Sequence, residues 1–232
     1  MRTETPPTIR LKDYKPSDYL IDHVSLDVSL QPTATSVVSV LKMRLNPASK
    51  TVNAPLRLDG EELELKSIAI NGETIGANRY TVSANQLVID DLPEGQFELT
   101  IETQCNPDAN TALSGLYRSN GIYCTQCEAE GFRRITYFLD RPDVLATYQV
   151  RVEADRESVP VLLANGNPVE TGDLAGGRHF AVWQDPWPKP AYLFALVAGD
   201  LACVTDHFTT LSGRKVELRI YVEQGKQDRC DW

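Results

Sequence analysis

The pattern that decides the fold is clearest in the sequence VSLDVSL at residues 24–30, where every second residue is apolar. The same alternation recurs in FELTIET at 97–103, in YQVRVEA at 148–154 and in VELRIYV at 216–222. Successive side chains of a β-strand point to opposite faces of a sheet, so a period of two is typical of half-buried strands. These four segments therefore predict strands with one face against a core and one toward solvent.

Shorter segments extend this pattern along the chain. Seven of them are also predicted to be strands: 37–45, 56–58, 67–70, 86–89, 161–163, 179–183 and 192–197. Asn-Gly, Asp-Gly and Gly-Gly pairs between the strands are typical of tight turns. No window of a dozen residues has the apolar spacing of an amphipathic helix, and 128–136 is long enough for one short helical turn only. The sequence predicts an all-β fold, either a sandwich or a large curved sheet.

The domain organisation is predicted to be simple. The chain of 232 residues reads as one domain at 17–232, preceded by an irregular arm at 1–16 that has three prolines and little periodicity. A chain of this size buries roughly 70–75% of its unfolded surface, so it needs no disulfide framework. The run DPWPKP at 185–190 predicts a rigid, extended connection between strands, because each proline restricts its own φ and the residue before it.

Charge and targeting signals narrow the classes of partner. Thirty-two acidic residues against 23 basic ones give a formal net charge of −9, which repels phosphate backbones and disfavours nucleic acid. No basic amphipathic run indicates binding to a membrane, and the sequence begins without an apolar targeting segment. We therefore expect a cytoplasmic protein. Five cysteines, an odd number at irregular spacing, fit reduced thiols in that compartment.

Cys124-Thr-Gln-Cys127 has the spacing of a redox or zinc motif, but its flanks look extended. In a strand, residues three apart point to opposite faces, so we expect the two sulfurs to diverge and both thiols to be free. The histidines His23, His179 and His207 lie apart, and none is in an H-E-x-x-H arrangement. No nucleophile elbow, P-loop or G-x-G-x-x-G occurs either. The sequence therefore predicts no metal ligands and no catalytic residues in this chain.

The densest unusual stretch is GIYCTQCEAEGFRRITYFLDRPDVLATYQV at residues 121–150. It combines two glutamates, two consecutive arginines and the charged sequence Asp-Arg-Pro-Asp at 140–143. The charges alone are compatible with a solvated loop held by ion pairs, each worth about 0–1 kcal/mol at a surface. The interleaved aromatic residues Tyr123, Phe132, Tyr137 and Phe138 favour instead a segment drawn into contact with another surface. Charged groups in such a setting are candidates for binding a charged ligand.

Within this stretch, TQCEAEGFR at 125–133 resembles the T-Q-x-E-x-x-x-A/F-R motif of the aminopeptidase N family of zinc metallopeptidases. The likeness continues through 140–143, where Asp-Arg-Pro-Asp stands in place of the Asp-Glu-Pro of many relatives. That departure resembles the bacterial branch of the family. The likeness also covers 17–30, 163–166 and 177–200, and so spans almost the whole chain.

The resemblance implies a saddle-shaped β-domain with a curved mixed sheet, followed in a complete enzyme by a thermolysin-like catalytic domain. In that family the motif glutamate, here Glu128, binds the free α-amino group of the substrate. The motif glutamine, here Gln126, lines the pocket for the first side chain. The implied partners are peptides with a free N-terminus and the downstream catalytic domain of the same polypeptide. Relatives also often have a non-proline cis peptide after the motif glutamate, here between Glu128 and Ala129. The sequence leaves two alternatives for this bond, cis as in those relatives or trans in a segment without the catalytic domain.

The implied cofactor is zinc, but its ligands are not in this sequence. Both the H-E-x-x-H and the G-x-M-E-N motifs of the family are absent. We therefore expect a segment that is inactive alone. It would supply substrate-amine recognition and a scaffold to a cytoplasmic aminopeptidase that removes single residues from peptide N-termini. The abrupt end at Trp232 fits a truncated segment of a longer protein.

Two rival hypotheses belong to other classes. One is a free-standing β-sandwich module that binds a protein partner or a sugar. The other, less favoured, is a thiol oxidoreductase built on Cys124 and Cys127. The gene beyond Trp232 distinguishes the first of these from the enzyme: a downstream H-E-x-x-H indicates the enzyme, and a stop codon indicates the module.

Overall fold

The computed structural model describes residues 10–51 and 53–230, and β-strands dominate them. In chain order the strands are β1 (Tyr19–Ser29), β2 (Thr35–Leu45), β3 (Leu56–Asp59), β4 (Glu64–Ile70), β5 (Glu73–Thr74), β6 (Tyr80–Val82), β7 (Gln86–Ile89), β8 (Gln96–Cys105), β9 (Gly115–Ser119), β10 (Ile122–Gln126), β11 (Ala146–Asp155), β12 (Val161–Ala164), β13 (Asn167–Asp173), β14 (Arg178–Lys189), β15 (Leu196–Gly199), β16 (Leu201–Thr209) and β17 (Lys215–Glu223). The helical elements of the described residues are short 3₁₀ turns at Leu11–Asp13, Ala77–Arg79, Phe132–Arg134, Ala175–Gly177, Ala191–Leu193 and Gln227–Cys230. The predicted all-β fold is confirmed.

The largest sheet has eight strands in the order β13-β14-β11-β1-β2-β8-β4-β5. Its inner pair, β1 and β11, is parallel, with Val24 opposite Tyr148 and Val28 opposite Val152. Every other neighbouring pair in this sheet is antiparallel, so the sheet is mixed, as predicted. Val24 and Val28 are 0% exposed, which places the apolar face of the alternating pattern in the core.

Two smaller sheets, β12-β15-β10-β9 and β3-β7-β6, supply the second layer. Their apolar residues join those of the large sheet in one buried cluster, in which Leu58, Leu87 and Ala198 are 0% exposed. Each of these sheets has one apolar face, and packing the two layers together removes the apolar faces from water. The described strands do not close into a barrel.

The last two strands, β16 and β17, form a two-stranded sheet of their own. One face of this hairpin is apolar, since Val204 lies opposite Ile220 and Phe208 opposite Val216. Phe208 is 58% exposed and Ile220 is 46% exposed, so within the described residues this face is largely uncovered. Exposed apolar surface of this kind commonly marks a contact with another protein surface.

The prediction of a connection at residues 185–190 is wrong, because this run continues β14 as far as Lys189. It pairs with β11, where Tyr148 lies opposite Asp185 and Ala146 opposite Lys189, with an irregular register between them. On its other side, β13 reaches only as far as Gln184. Prolines are tolerated beyond that point because the strand edge has no neighbour to which it must donate hydrogen bonds.

The predicted strand at 192–197 is also wrong in its first half. Ala191–Leu193 is a 3₁₀ turn, and β15 begins only at Leu196. Ala191 and Phe194, three residues apart, are 1% and 3% exposed. That spacing places both side chains on the same side of a 3₁₀ turn, which has three residues per turn.

Of the predicted arm at 1–16, residues 1–9 lie outside the described residues. The hydroxyl of Tyr14 donates a hydrogen bond to Asp143 at 2.9 Å, which ties the end of the arm to the domain. The division into an arm and a domain at 17–232 remains a prediction. Within the described ranges, no helix is long and apolar enough to cross a membrane.

Candidate functional site

The T-Q-x-E motif lies where β10 ends. The hairpin of β9 and β10 carries the chain to Gln126, after which the backbone turns, and the N–H of Gly131 donates to the carbonyl of Cys127 at 2.8 Å. The peptide bond between Glu128 and Ala129 is cis, the first of the two alternatives that the sequence left open. Gln126 and Glu128 are both exposed. The hairpin therefore presents both predicted site residues to solvent at one end of a strand.

Two glycines allow the motif to lie directly on β9. A Cβ on Gly131 would come within 2.2 Å of the carbonyl oxygen of Gln126 and 2.9 Å of the backbone nitrogen of Gly115. Gly115 has a φ of +73°, and a Cβ there would lie 2.6 Å from the Cβ of Arg134. A larger residue at either position would push the motif away from β9.

The residues after the motif glutamate anchor the segment in the core. Phe132 begins the one helical turn that the sequence allowed, and its ring lies edge-to-face on Phe138 and Phe194, with centroids 4.7 and 5.1 Å away. All four interleaved aromatic residues of the stretch are buried: Tyr123, Phe132, Tyr137 and Phe138. The prediction that they draw this segment into contact with another surface is confirmed, and that surface is the core.

Arg133 is held by the buried carboxylate of Asp140. Its backbone N–H and its Nε donate to the same Oδ2 at 3.2 and 3.0 Å, and Nη2 donates to the Asp140 carbonyl at 3.2 Å. Asp59 and Glu130 lie farther from the guanidinium, at 3.9 and 3.7 Å. Burial raises the pKa of the Asp140 carboxyl, and the hydrogen bonds from Arg133 oppose that rise.

Arg134 binds two carboxylates on the loop after β3. Its Nη1 lies 3.0 Å from Oε2 of Glu61, and its Nη2 lies 2.5 Å from Oε2 of Glu62. The N–H of Glu61 also donates to the carbonyl of Arg133 at 3.0 Å, so backbone and side chains both join this loop to the motif. Sequence reasoning missed the two glutamates. They lie 73 and 72 residues from Arg134, and no pattern connects them to it.

These contacts leave an open pocket of about 690 Å³ beside the motif. It is lined by Glu61, Glu62, Ala112, Ser114, Glu128, Ala129, Glu130 and Arg134. Within the described residues the Glu128 carboxylate has no ion pair, because the arginines nearest to it in sequence bind other carboxylates. Gln126 lies outside this lining, and its Nε2 donates to the Glu128 carbonyl at 3.3 Å. The structure thus places Glu128 in a pocket and Gln126 against the Glu128 backbone.

Cys124 and Cys127 are both free, which confirms that part of the prediction. Cys124 lies in β10 and is half-buried, whereas Cys127 follows the strand and is buried. Burial raises the pKa of Cys127 to about 12, and that of Cys105 to about 12 as well. Neither Cys105 nor Cys127 therefore supplies a thiolate at neutral pH, and redox chemistry at the Cys124–Cys127 pair needs one.

We expect a disulfide reagent such as DTNB to modify Cys203 first, because that thiol is exposed. Cys105 and Cys127 should stay unmodified until the chain unfolds. Mass spectrometry of peptides from partly labelled protein gives the order of reaction. Early labelling of Cys127, or a disulfide that joins it to Cys124 in a non-reducing digest, would contradict the expectation.

Zinc does not fit this part of the chain. Among the residues that the structure describes, no group of three or more His, Cys, Asp or Glu side chains could hold a metal ion. Nδ1 of His23 lies 2.8 Å from the Thr147 hydroxyl, and Nε2 of His179 lies 2.8 Å from the carbonyl of Val159. These histidines have local structural partners rather than a shared ion.

Comparison with known protein sequences shows that almost the whole chain is similar to the N-terminal part of one family of enzymes. The family model of the Peptidase M1 N-terminal domain matches residues 15–193. Aminopeptidase N of Caulobacter vibrioides is 53% identical over 230 residues, which is 99% of this chain and 26% of that protein. Aminopeptidase N of Escherichia coli is 50% identical over the same 99% of this chain, again 26% of that protein. The chain therefore spans about a quarter of the length of the curated relatives it matches.

Solved structures show the same likeness in three dimensions. Aminopeptidase A of Legionella pneumophila, in complex with aspartic acid, has a TM-score of 0.91 and 36% identity over 96% of this chain and 26% of that one. The M1 zinc metallopeptidase of Deinococcus radiodurans has a TM-score of 0.74 at 20% identity over 90% of this chain and 49% of that one. The second comparison shows a shared fold.

Proposed function

This chain belongs to the peptidase M1 family as its N-terminal domain, and we propose that it recognises substrate for a zinc aminopeptidase that removes single residues from peptide N-termini. Identity of 50–53% over 99% of the chain to proteins named aminopeptidase N supports this function over that of a free-standing binding module. Because the chain spans about a quarter of those proteins, hydrolysis is proposed for the longer polypeptide.

The observation that carries the proposal is the state of the Glu128 carboxylate. It lines the open pocket, in the position of the motif glutamate, and has no ion pair with the residues that the structure describes. A carboxylate in this state can accept hydrogen bonds from an ammonium, and such charge-assisted bonds are about twice as strong as neutral ones. A free peptide N-terminus is an ammonium, whereas an acetylated one carries no charge. Glu128 is therefore suited to select peptides by their N-terminus.

Gln126 lies outside the lining of the open pocket that contains Glu128. We propose that in the complete enzyme it lines the pocket for the first side chain of the substrate. Its exposed amide offers two donors and one acceptor. One donor supports the Glu128 carbonyl at 3.3 Å, so Gln126 also steadies the backbone that carries the ammonium-binding carboxylate.

Zinc occurs in the M1 relative from Deinococcus radiodurans, and in the proposed enzyme it is bound by residues outside this chain. When bound, zinc lowers the pKa of a water molecule to about 7 and polarises the carbonyl under attack. The residues of this chain act separately from the metal, since they bind the ammonium of the peptide and orient its first residue toward that centre.

The partner that we infer for the β16–β17 hairpin is the catalytic domain that continues the polypeptide. The family model ends at residue 193, before the hairpin begins at Leu201. The apolar face of the hairpin is largely uncovered within the described residues, and a following domain of the same chain would remove it from water. A cytoplasmic location is part of the proposal, since five free thiols fit a reducing compartment.

The 232-residue chain should bind no stoichiometric zinc and should release no amino acid from an L-aminoacyl p-nitroanilide. The full-length protein should bind zinc and should release the amino acid, because the zinc ligands and the catalytic groups lie outside this segment. Metal analysis by mass spectrometry and a chromogenic assay of both proteins make the test. One tightly held zinc per 232-residue chain would overturn this division of labour.

A further inference from the structure

We propose that Glu61 and Glu62 are positioning residues that hold Arg134 away from Glu128, so that the Glu128 carboxylate stays open to the substrate ammonium. The inference rests on the proposed function of Glu128. It gives a role to two glutamates that lie outside the T-Q-x-E motif and reach the pocket from a different part of the chain.

The first observation is that Arg134 and Glu128 line the same pocket. Arg134 is the one cationic side chain among the described residues of that lining. Its side chain is only 11% exposed, so packing fixes its position. Its Nη1 atom forms an ion pair with Glu61 and its Nη2 atom forms one with Glu62. An arginine in such a pocket can bind the Glu128 carboxylate and so compete with the ammonium of the substrate for it.

The second observation is that the neighbouring arginine also pairs with carboxylates other than Glu128. Arg133 binds Asp140 and has Asp59 and Glu130 within 4 Å of its guanidinium, at 3.9 and 3.7 Å. The two consecutive arginines thus meet five carboxylates, none of which is Glu128. The surplus of acidic partners explains why the Glu128 carboxylate has no ion pair among the described residues.

The third observation concerns Glu62 itself. Its φ is +55°, in the left-handed region that a residue other than glycine, asparagine or aspartate rarely adopts. Backbone preference alone would favour glycine or asparagine there, whereas an acidic side chain binds the guanidinium of Arg134 through a charge-assisted hydrogen bond. The Nε of Arg134 is buried and has no acceptor among the described residues, so this guanidinium already has a donor left unused. Loss of both glutamates would leave Arg134 to bind the remaining carboxylates of the pocket.

The test is the double variant Glu61→Gln/Glu62→Gln of the full-length protein, assayed on an L-aminoacyl p-nitroanilide. Freed from its partners, Arg134 should pair with Glu128 and leave only a fraction of the molecules competent to bind substrate. An ion pair between Arg134 and Glu128 should leave about a third to a tenth of the molecules competent to bind substrate. The value of kcat/KM should therefore fall about threefold to tenfold, mostly through a higher KM. The triple variant that adds Arg134→Met removes the competitor and should return KM toward the wild-type value.

Rescue by the third substitution separates this mechanism from a merely structural role, because a structural role predicts a further loss. Unchanged kinetics of the double variant, or a triple variant no better than the double, would overturn the inference. Glu64→Gln is the matched control, since it removes an exposed ion pair to Lys66 close to the loop. If the double variant does not fold, Glu62→Gln alone carries the test, because that side chain is 70% exposed.

Glu128→Gln, measured in parallel, distinguishes failure of this inference from failure of the proposed function. A loss with Glu128→Gln but none with the double variant overturns the role of Glu61 and Glu62 alone. No loss with Glu128→Gln overturns both, because the carboxylate would then not bind the substrate.

Discussion

Glu128→Gln in the full-length protein is expected to lower kcat/KM for peptides with a free N-terminus by about 30- to 5,000-fold. Glutamine keeps the shape and hydrogen-bonding capacity of the side chain but removes its charge, so the substrate ammonium loses its ionic partner. Removing one member of a desolvated, hydrogen-bonded charge pair costs roughly 2–5 kcal/mol, which corresponds to that range. Steady-state kinetics, together with circular dichroism and zinc content, make the measurement.

Glu130→Gln is the matched comparison for this prediction. Glu130 lies two residues along the same turn and is also exposed, but its carboxylate already faces Arg133 at 3.7 Å. Its replacement should cause a much smaller loss than that of Glu128. Comparable kinetics of the two variants would return Glu128 to the status of an ordinary surface carboxylate.

Arg133→Met is expected to destabilise the 232-residue chain by about 3–5 kcal/mol at neutral pH. The substitution keeps the aliphatic part of the side chain and leaves the carboxylate of Asp140, only 2% exposed, without its cation. Urea denaturation gives the free energy of unfolding. Arg141→Met is the matched control, because Arg141 pairs with Asp143 at 2.7 Å at a more exposed site and should matter by about 0–1 kcal/mol.

The loss caused by Arg133→Met should shrink as the pH is lowered. Burial raises the pKa of Asp140, and without Arg133 the hydrogen bonds that oppose this rise are lost. A native-state pKa above the unfolded value means that the native state takes up a proton more readily, so acid stabilises it relative to the unfolded chain. The penalty is therefore full above the native-state pKa and declines as the pH falls through it. A constant deficit across that range would show that Arg133 acts through packing alone.

How much of the fold could be predicted depends on how local each signal is. The alternation at 24–30, 97–103, 148–154 and 216–222 predicted strands, and these segments coincide with β1, β8, β11 and β17. β13 was missed because its residues are almost all exposed, and an edge strand that buries no face carries no apolar period. The run at 185–190 was misread because its prolines are compatible with a strand only where a neighbouring strand has ended, and that ending is not visible in the run itself.

For the candidate site, too, the local motif was predictable from the sequence and the long-range contacts were not. The motif at 125–133 located Glu128 and Gln126 in the sequence, and the glycine at position 131 belongs to that motif. The pairing of Arg134 with Glu61 and Glu62 was invisible, because it joins residues 73 and 72 positions apart through side chains on two loops. Whether Glu128 and Gln126 perform the proposed roles remains a prediction.

The sequence by itself determined that this chain is all-β, that its apolar faces alternate and that it belongs with aminopeptidase N sequences. It also singled out Glu128 as the candidate to bind an ammonium, which remains a prediction. These properties depend on local periodicity and on one contiguous motif. Only the tertiary structure decided which carboxylates bind the two arginines, and so which carboxylate of the pocket has no ion pair among the described residues. The physical reason is that an ion pair depends on distances between side chains, and distances between residues far apart in sequence are set by how the sheets pack.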